Sequence, residues 1–449
     1  DKLDYLYGFI DYSLTRQTRY SPEMFDLGRM REFMAQIGNP QNEYPIIHVA
    51  GTKGKGSVSA ICTSALQAAG YRVGLYTSPH LLDYTERIQV NREHIPRQAL
   101  IDLVDEFRPL LDEGTQLTTF EISTALAFLY FQRQAVNAAV VEVGLGGRLD
   151  ATNVVTPVVS VITSLSFDHT KFLGDTLAEI AGEKGGIIKP GVPVVLAPQK
   201  EEARLVIERI AAEREAELVQ VGRDYLFAEV GHSLSSQTMQ VWSASEQPLV
   251  DAYIESGGTD EWEPTRLQIS LLGYHQVQNA ATAYAALQIA KSRGLPMHEA
   301  DIQRGFESVA WQGRFEVIHE NPIIVVDSAH NRDSALKLRL ALDDYFPARP
   351  VVLVFGASED KDVEGMFSEL MPRVRQVIAT KSIHPRSMDP EKLKVLAHRF
   401  GRPAMVIDEI SEAMEEAIEI TGDQEMILVT GSLFVAGGAL HSWYNRNQE

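Results

Sequence analysis

Ile46-Ile47-His48-Val49-Ala50 runs directly into Gly51-Thr52-Lys53-Gly54-Lys55-Gly56-Ser57, a short apolar stretch followed by a loop of glycines and lysines. Behind the loop, Val58, Ile61, Cys62, Ala65, Leu66 and Ala69 recur at helical spacing, and Gly70 is placed to end that helix. The order is strand, glycine-rich turn, helix. In that order the glycines let backbone N–H groups approach phosphate oxygens, and the helix N-terminus adds partial positive charge. Lys55 is placed to meet the terminal phosphates of ATP and Ser57 to offer its hydroxyl to Mg²⁺, with Gly51, Thr52, Lys53, Gly54 and Gly56 completing the cradle. The spacing departs from GxxxxGK[ST]: Val49 stands where the first glycine belongs, and Gly56 separates Lys55 from Ser57. An ordinary glycine-rich turn is the plainer reading, but the flanking strand and helix favour phosphate binding.

On the far side of this unit, β-branched runs keep alternating with helical patterns: RVGLY at 72–76, AAVVEV at 138–143, VVSVIT at 158–163 and VPVVL at 192–196. The alternation predicts an α/β fold whose first part is a P-loop-type, mainly parallel sheet covered by helices on both faces. Residues 224–272 switch to strand-like alternation with Ser, Gly and Asp breaks, as expected of a small antiparallel appendage, and a helix is expected from about His275 to Arg293. After Gly294-Leu295-Pro296, strands near 323–327, 350–355, 375–379 and 426–429 predict a second, Rossmann-like α/β domain. At 449 residues the chain exceeds one core, since single cores stop growing near ~250–300 residues, and the expected division is 1–296 and 297–449.

The balance of 41 Lys and Arg against 61 Asp and Glu, a net charge of −20, repels a polyanionic backbone and argues against a nucleic-acid partner. Anionic small molecules would need locally gathered positive charge. The lone Cys62 has no intramolecular disulfide partner, and a reducing compartment fits it. No run reaches the ~18 apolar residues that span a bilayer, and the first residues lack a leader's basic start and apolar core, so the expectation is a soluble cytoplasmic protein with no membrane partner.

In an open α/β sheet the ligand crevice lies outside the carboxyl ends of the strands. Thr77-Ser78-Pro79-His80 follows the strand at 72–76, Glu142 ends the next, Gly144 to Asn153 follows it, and Phe167-Asp168-His169 follows 158–163. Glu142 and His169 would supply an oxygen and a nitrogen to a divalent cation otherwise held by phosphate and water. Gly144-x-Gly146-Gly147 fails the dinucleotide-binding spacing. Lys184 reads, by itself, as a solvated lysine at a helix end. His275 and Asn279 share a helix face. Arg314 precedes a strand of the second domain, and Asp327 to Asn331 follows one, either repeating the placement of acid, imidazole and amide at a strand end or capping the next helix.

GTKGKGS, TSPHLLDYTERI, TTFEISTALAF, VEVGLGGRLDATN, SFDHTKFLG, GEKGGIIKPG, GYHQVQNAATA, GRFE, DSAHN and VTGSLFVAG occur in this order across nearly the whole chain. Together they resemble the folylpolyglutamate synthase and dihydrofolate synthase family, a branch of the Mur ligases. The resemblance implies a ligase in which ATP phosphorylates a folate-type carboxylate and L-glutamate attacks the acyl phosphate, releasing ADP and phosphate. It implies catalytic roles for Lys55, Lys184, Asp327 and His330, and nucleotide contacts from the phosphate loop, Asn279, Arg314 and Asp327. Two Mg²⁺ ions would be held by Ser57, Ser78, Glu142 and His169, and Lys184 matches a lysine that is carbamylated in relatives. Thr77, Pro79, His80 and Arg87 in the loop 77–87, with Phe120, Asp150 and Ala151, match a pterin-binding region, and Ser432 lies near the glutamate site. RLDATN at 148–153 looks like the form in bacterial enzymes that also accept dihydropteroate, and relatives suggest a monomer. The loop Gly356 to Asp362 resembles a family loop, but Ser358-Glu359 departs from it. The rivals are a Mur ligase for a UDP-muramyl precursor, for whose extra domain the 50 residues before Gly51 leave little room, and a non-catalytic nucleotide-binding regulator.

Overall fold

The computed structural model describes residues 26–112, 117–168, 170–259 and 262–446. The opening stretch forms strand β1 (Ile46–Ala50), buried at every position. It is followed by β2 (Val73–Tyr76), β3 (Ile88–Val90), β4 (Glu93–His94), β5 (Ala138–Glu142), β6 (Val159–Ile162), β7 (Val194–Leu196) and β8 (Leu218–Gln220). These make one eight-stranded sheet in the order β4-β3-β2-β5-β1-β6-β7-β8. From β2 to β8 all pairings are parallel. The near-continuous apolar composition of these strands suits a sheet covered on both faces. On one face Ile47 and Val49 pack with the helices Lys55–Ala68 and Tyr274–Ser292. On the other, Ile46 packs with the helix Thr119–Arg133 and Ala50 with the helix Leu177–Gly185.

The short hairpin β3–β4 adds antiparallel strands at one edge. With three and two residues, they offer too little periodicity to be read in advance. The appendage consists of β9 (Tyr225–His232), β10 (Gln237–Ser243) and β11 (Thr265–Ile269), antiparallel in the order β11-β10-β9. Its inner residues Met239, Val241, Leu267 and Ile269 join the core around the helix Tyr274–Ser292.

The helix Glu299–Glu307 follows Pro296 but belongs to the first core: Ile302 and Phe306 are buried in it. A Cβ on Gly305 would fall 2.3 Å from the Cα of Ala65, so the helices touch backbone to backbone. The core built on the first sheet therefore extends to Val309, past the boundary expected at Pro296.

The second sheet holds β12 (Glu316–Glu320), β13 (Ile323–Val326), β14 (Val351–Phe355), β15 (Val374–Ala379), β16 (Ala404–Val406) and β17 (Met426–Thr430), ordered β12-β13-β17-β14-β15-β16. Only β12 runs antiparallel to its neighbour. Alternate residues of the central strands serve opposite faces. Val325, Leu353 and Leu428 meet the helices Arg332–Tyr345 and Val363–Leu370, and Val326, Val354 and Val429 meet Ile410–Ile420 and Leu433–Arg446. Among the described residues no helix is long and apolar enough to cross a membrane. Cys62 is fully buried, which pushes its thiol up to about 12.

Candidate active site

The phosphate loop is pinned on two sides. The N–H groups of Thr52 and Lys53 both donate to Ser164 O, at 2.9 and 3.0 Å, on the chain leaving β6. Gly54 has φ +89°, and a Cβ there would sit 2.2 Å from Asn279 Oδ1, so glycine is required both by conformation and by the close approach of the helix Tyr274–Ser292. That helix also holds Asn279 in place, since its amide donates to Gln276 Oε1 at 2.9 Å. The helix Lys55–Ala68 begins at the loop with no side chain capping its first N–H groups. A helix start of this kind favours an anion.

Around the loop, charge collects from distant segments. Lys55 Nζ lies 3.8 Å from Glu142 Oε1 at the end of β5, and Ser78 N donates to Glu142 Oε2 at 3.4 Å. Burial pushes the Glu142 carboxyl up, and Lys55 opposes the shift. Lys184 stands in the last turn of Leu177–Gly185, a helix opened by the Thr176/Glu179 capping box. At 4% exposure it is not the solvated helix-end lysine that its sequence position suggests. Burial, and then the nearby Lys55, bring its ammonium down to about 7.

The opposite wall comes from the second sheet. Both oxygens of Asp327 accept backbone N–H groups, from Phe315 at 2.8 Å and Ala329 at 2.7 Å. Burial raises its carboxyl, opposed by Arg314. The Arg314 guanidinium is within electrostatic reach of both Asp327 and Glu142, and burial lowers its pKa. His330 places Nδ1 2.9 Å from Ser328 O, which fixes the proton on Nδ1 and leaves Nε2 as an acceptor for Lys53 Nζ at 3.1 Å. Lys53 and burial hold that imidazole neutral, with a pKa of about 4.

A cavity of about 250 Å³ lies between the walls. Its lining includes Gly51 to Ser57, Ser78, Pro79, Glu142, Lys184, His275, Asn279, Arg314, Asp327 and His330. Of the residues expected from sequence, Thr77, His80, Arg87, Phe120, Asp150, Ala151 and Ser432 do not line it. Thr77 N donates to Arg87 O at 3.0 Å, and Arg87 Nε donates to His80 Nδ1 at 3.0 Å, so the loop 77–87 is tied to itself beside the cavity. Phe120 stacks tilted against Tyr76 and underlies Gly144, where a Cβ would fall 2.4 Å from the ring. Asp150 is buried and accepts Leu145 N at 2.9 Å and Thr152 N at 3.0 Å, and Ala151 is buried beside it. Ser432 Oγ accepts Val435 N at 3.1 Å at the start of the helix Leu433–Arg446. His169 lies outside the described residues.

The sequence reading passed over two residues that join the walls. Asp168 Oδ2 accepts Lys53 Nζ at 2.8 Å and Asn331 Nδ2 at 3.3 Å, and Oδ1 lies 3.7 Å from Lys361 Nζ. Asp168 was on view between Phe167 and His169, and Lys361 in the loop 356–362. Only their meeting across the cleft singles them out.

Known proteins match this chain across both sheets. The Mur ligase middle domain matches residues 49–287, and the Mur ligase glutamate ligase domain matches residues 313–433. The dihydrofolate synthase/folylpolyglutamate synthase of Bacillus subtilis is 36% identical over 419 residues, covering 91% of this chain and 92% of that protein. The folylpolyglutamate synthase of Lacticaseibacillus casei is 33% identical, covering 92% of each. Among solved structures, Mycobacterium tuberculosis folylpolyglutamate synthase complexed with ADP superposes with a TM-score of 0.83 at 30% identity, covering 99% of each chain. E. coli FolC in complex with DHPP and ADP gives 0.81 at 29% identity, covering 99% of this chain and 97% of that one. With both Mur ligase domains matched in order and these relatives aligned along nearly their full length, the chain belongs to the folylpolyglutamate synthase/dihydrofolate synthase family of Mur ligases.

Proposed function

We propose that the protein uses ATP to join L-glutamate to the free carboxylate of a reduced folate, and also to dihydropteroate, in an ADP-forming reaction. The observation that carries this reading is the single cavity into which a phosphate loop, Glu142 and Lys184 of one sheet and Arg314, Asp327 and His330 of the other all project. The acceptor carboxylate attacks the γ-phosphorus and ADP leaves; the glutamate amine then attacks the acyl carbon, phosphate leaves and the amide forms. An anion must approach an anion in the first step, so fixed positive charge supplies most of the catalysis. Lys53, Lys55, Arg314 and the N-terminus of Lys55–Ala68 provide it. The Ser57 and Ser78 hydroxyls and the Glu142 carboxylate are hard oxygen donors suited to Mg²⁺, and Ser57 and Glu142 are buried at the loop. When bound there, the ion neutralises phosphate charge. On the opposite wall, neutral His330 and the buried Asp327 line the same cavity, and we assign the approach of the amine to that side. Contact between the walls keeps water from the acyl phosphate.

Lys184 is proposed to carry a carbamate. Its amine, with a pKa near 7, has a neutral fraction that adds to carbon dioxide with loss of a proton, turning a buried cation into an anion between the phosphate loop and Asp150. The dihydropteroate activity is supported by the names of the Bacillus subtilis and E. coli relatives and by the RLDATN segment.

The deciding measurement is glutamate-dependent ADP release with dihydropteroate, tetrahydrofolate and a UDP-muramyl precursor offered separately. Release with both pterins is expected. Release with the UDP-linked acceptor alone, or with none, overturns the proposal.

A further inference from the structure

Strand β1 carries one polar side chain among apolar neighbours, His48, and its exposure is 0%. Its Nε2 lies 2.9 Å from Thr152 Oγ1, and that hydroxyl lies 2.5 Å from Asp150 Oδ1. Asp150 also accepts the N–H groups of Thr152 and Leu145, so every polar partner named at its carboxylate is a donor. A hydroxyl has a single proton, and here it goes to Asp150. The Thr152 oxygen must then accept from His48 Nε2–H, which fixes the tautomer. The other ring nitrogen, Nδ1, is left as a buried acceptor with no partner among the described residues. An orphaned buried acceptor is destabilising, so packing alone gives no reason for an imidazole here. Burial and the nearby Lys189 lower its pKa to about 3 and keep the ring neutral, with one N–H to donate.

We propose that His48 is a positioning residue for the substrate loop: its Nε2–H orients the Thr152 hydroxyl onto Asp150, and Asp150 in turn fixes the backbone at Gly144 and Leu145. Those two residues form part of the cavity lining, and Gly144 rests on Phe120. The relay couples the strand that leads into the phosphate loop to the loop that the family resemblance assigns to the pterin. It rests on that reading for its kinetic consequence, but not for its proton assignment.

Two measurements test it. In steady-state assays, His48→Leu raises KM for dihydropteroate roughly ten-fold, the factor that corresponds to 1.4 kcal/mol, while KM for ATP changes by less than about two-fold. His48→Gln, which carries an amide donor at the reach of Nε2, restores KM to near the wild-type value. Equal impairment by Leu and Gln, or a rise in KM for ATP in step with that for dihydropteroate, overturns the proposal. If the Leu variant does not fold, Thr152→Val against Thr152→Ser makes the same comparison, since only serine keeps the hydroxyl. The second measurement is independent of activity. In protein labelled with ¹⁵N-histidine, the signal lost in His48→Gln is expected to show a neutral ring protonated on Nε2 and unchanged between about pH 5 and 8. A proton on Nδ1, or titration within that window, overturns the relay. A wild-type enzyme that ignores dihydropteroate while showing the expected ring signal overturns the proposed acceptor and leaves the proton relay standing.

Discussion

At the carboxyl edge of the first sheet, the groups proposed to meet the nucleotide are held by their own sheet: the phosphate loop by Ser164 O, Glu142 by Ser78 N and Lys55, and Lys184 by its helix. At the corresponding edge of the second sheet, Asp327 and His330 are tied to their own loop by backbone bonds, and other contacts of this wall cross the cleft. His330 Nε2 meets Lys53, and Lys361 and Asn331 meet Asp168. The first edge is thus a preformed anion site, whereas the second is completed only by contact with the first. We infer from the difference a division of roles: most nucleotide affinity comes from the first wall, helped by Arg314 of the second, and ligation needs both.

The sharpest way to break this division is at the loop. Lys55→Ala is expected to lower turnover by about 10²–10³, by analogy with loss of one preorganised charge contact, with an unchanged circular dichroism spectrum. Near-normal ligase activity in the folded variant would remove the phosphate-loop assignment. His330→Ala tests the other wall. It is expected to lower turnover about 10²-fold, the lower end for a positioned proton-transfer group, and to leave ADP affinity by calorimetry within two-fold. A matching loss of ADP affinity would contradict the separation of roles.

Acidity sharpens the comparison further. The folded Lys184 gives up its proton near 7, against a usual value of 10.5. Between those values the unfolded chain binds the extra proton, so this group's contribution to stability rises with pH across that window. The neutral amine needed for carbamate formation also increases through pH 7. Activity at fixed bicarbonate is therefore expected to climb between about pH 6 and 8. Lys184→Arg should abolish both that climb and a carbamate signal in ¹³CO₂-equilibrated protein; persistence of the climb in the variant would assign it to another group. The smallest effect on chemistry is expected from Gly305→Ala. Its Cβ meets the Ala65 backbone, so stability falls by about 1–3 kcal/mol while turnover per folded molecule holds. Unchanged melting would show that the helices can separate without cost.

Much of the fold was legible in advance because the central strands are short, β-branched and punctuated. IIHVA corresponds to β1, and the helix expected at 275–293 is Tyr274–Ser292. The hairpin β3–β4 and the attachment of Glu299–Glu307 to the first core were not legible. Two- and three-residue strands have no measurable period, and a helix reports that it has an apolar face but not which sheet will cover it. Lys184 is the same lesson at the site: its place at a helix end reads as solvated, and only packing buries it.

By itself the sequence determined the order of strands and helices, the glycine-rich turn and the chemical inventory of each strand end, because these depend on local periodicity and on side-chain type. The tertiary structure alone decided which charges meet: Lys53 with Asp168 and His330, Arg314 between Glu142 and Asp327, and His48 with Thr152. Those partners are separated by 104 to 277 positions along the chain where hydrogen bonds join them. Such contacts, and the shifts in acidity that burial produces, exist only after the two sheets have folded and packed, since Coulomb and desolvation energies depend on distance and dielectric rather than on position in the chain.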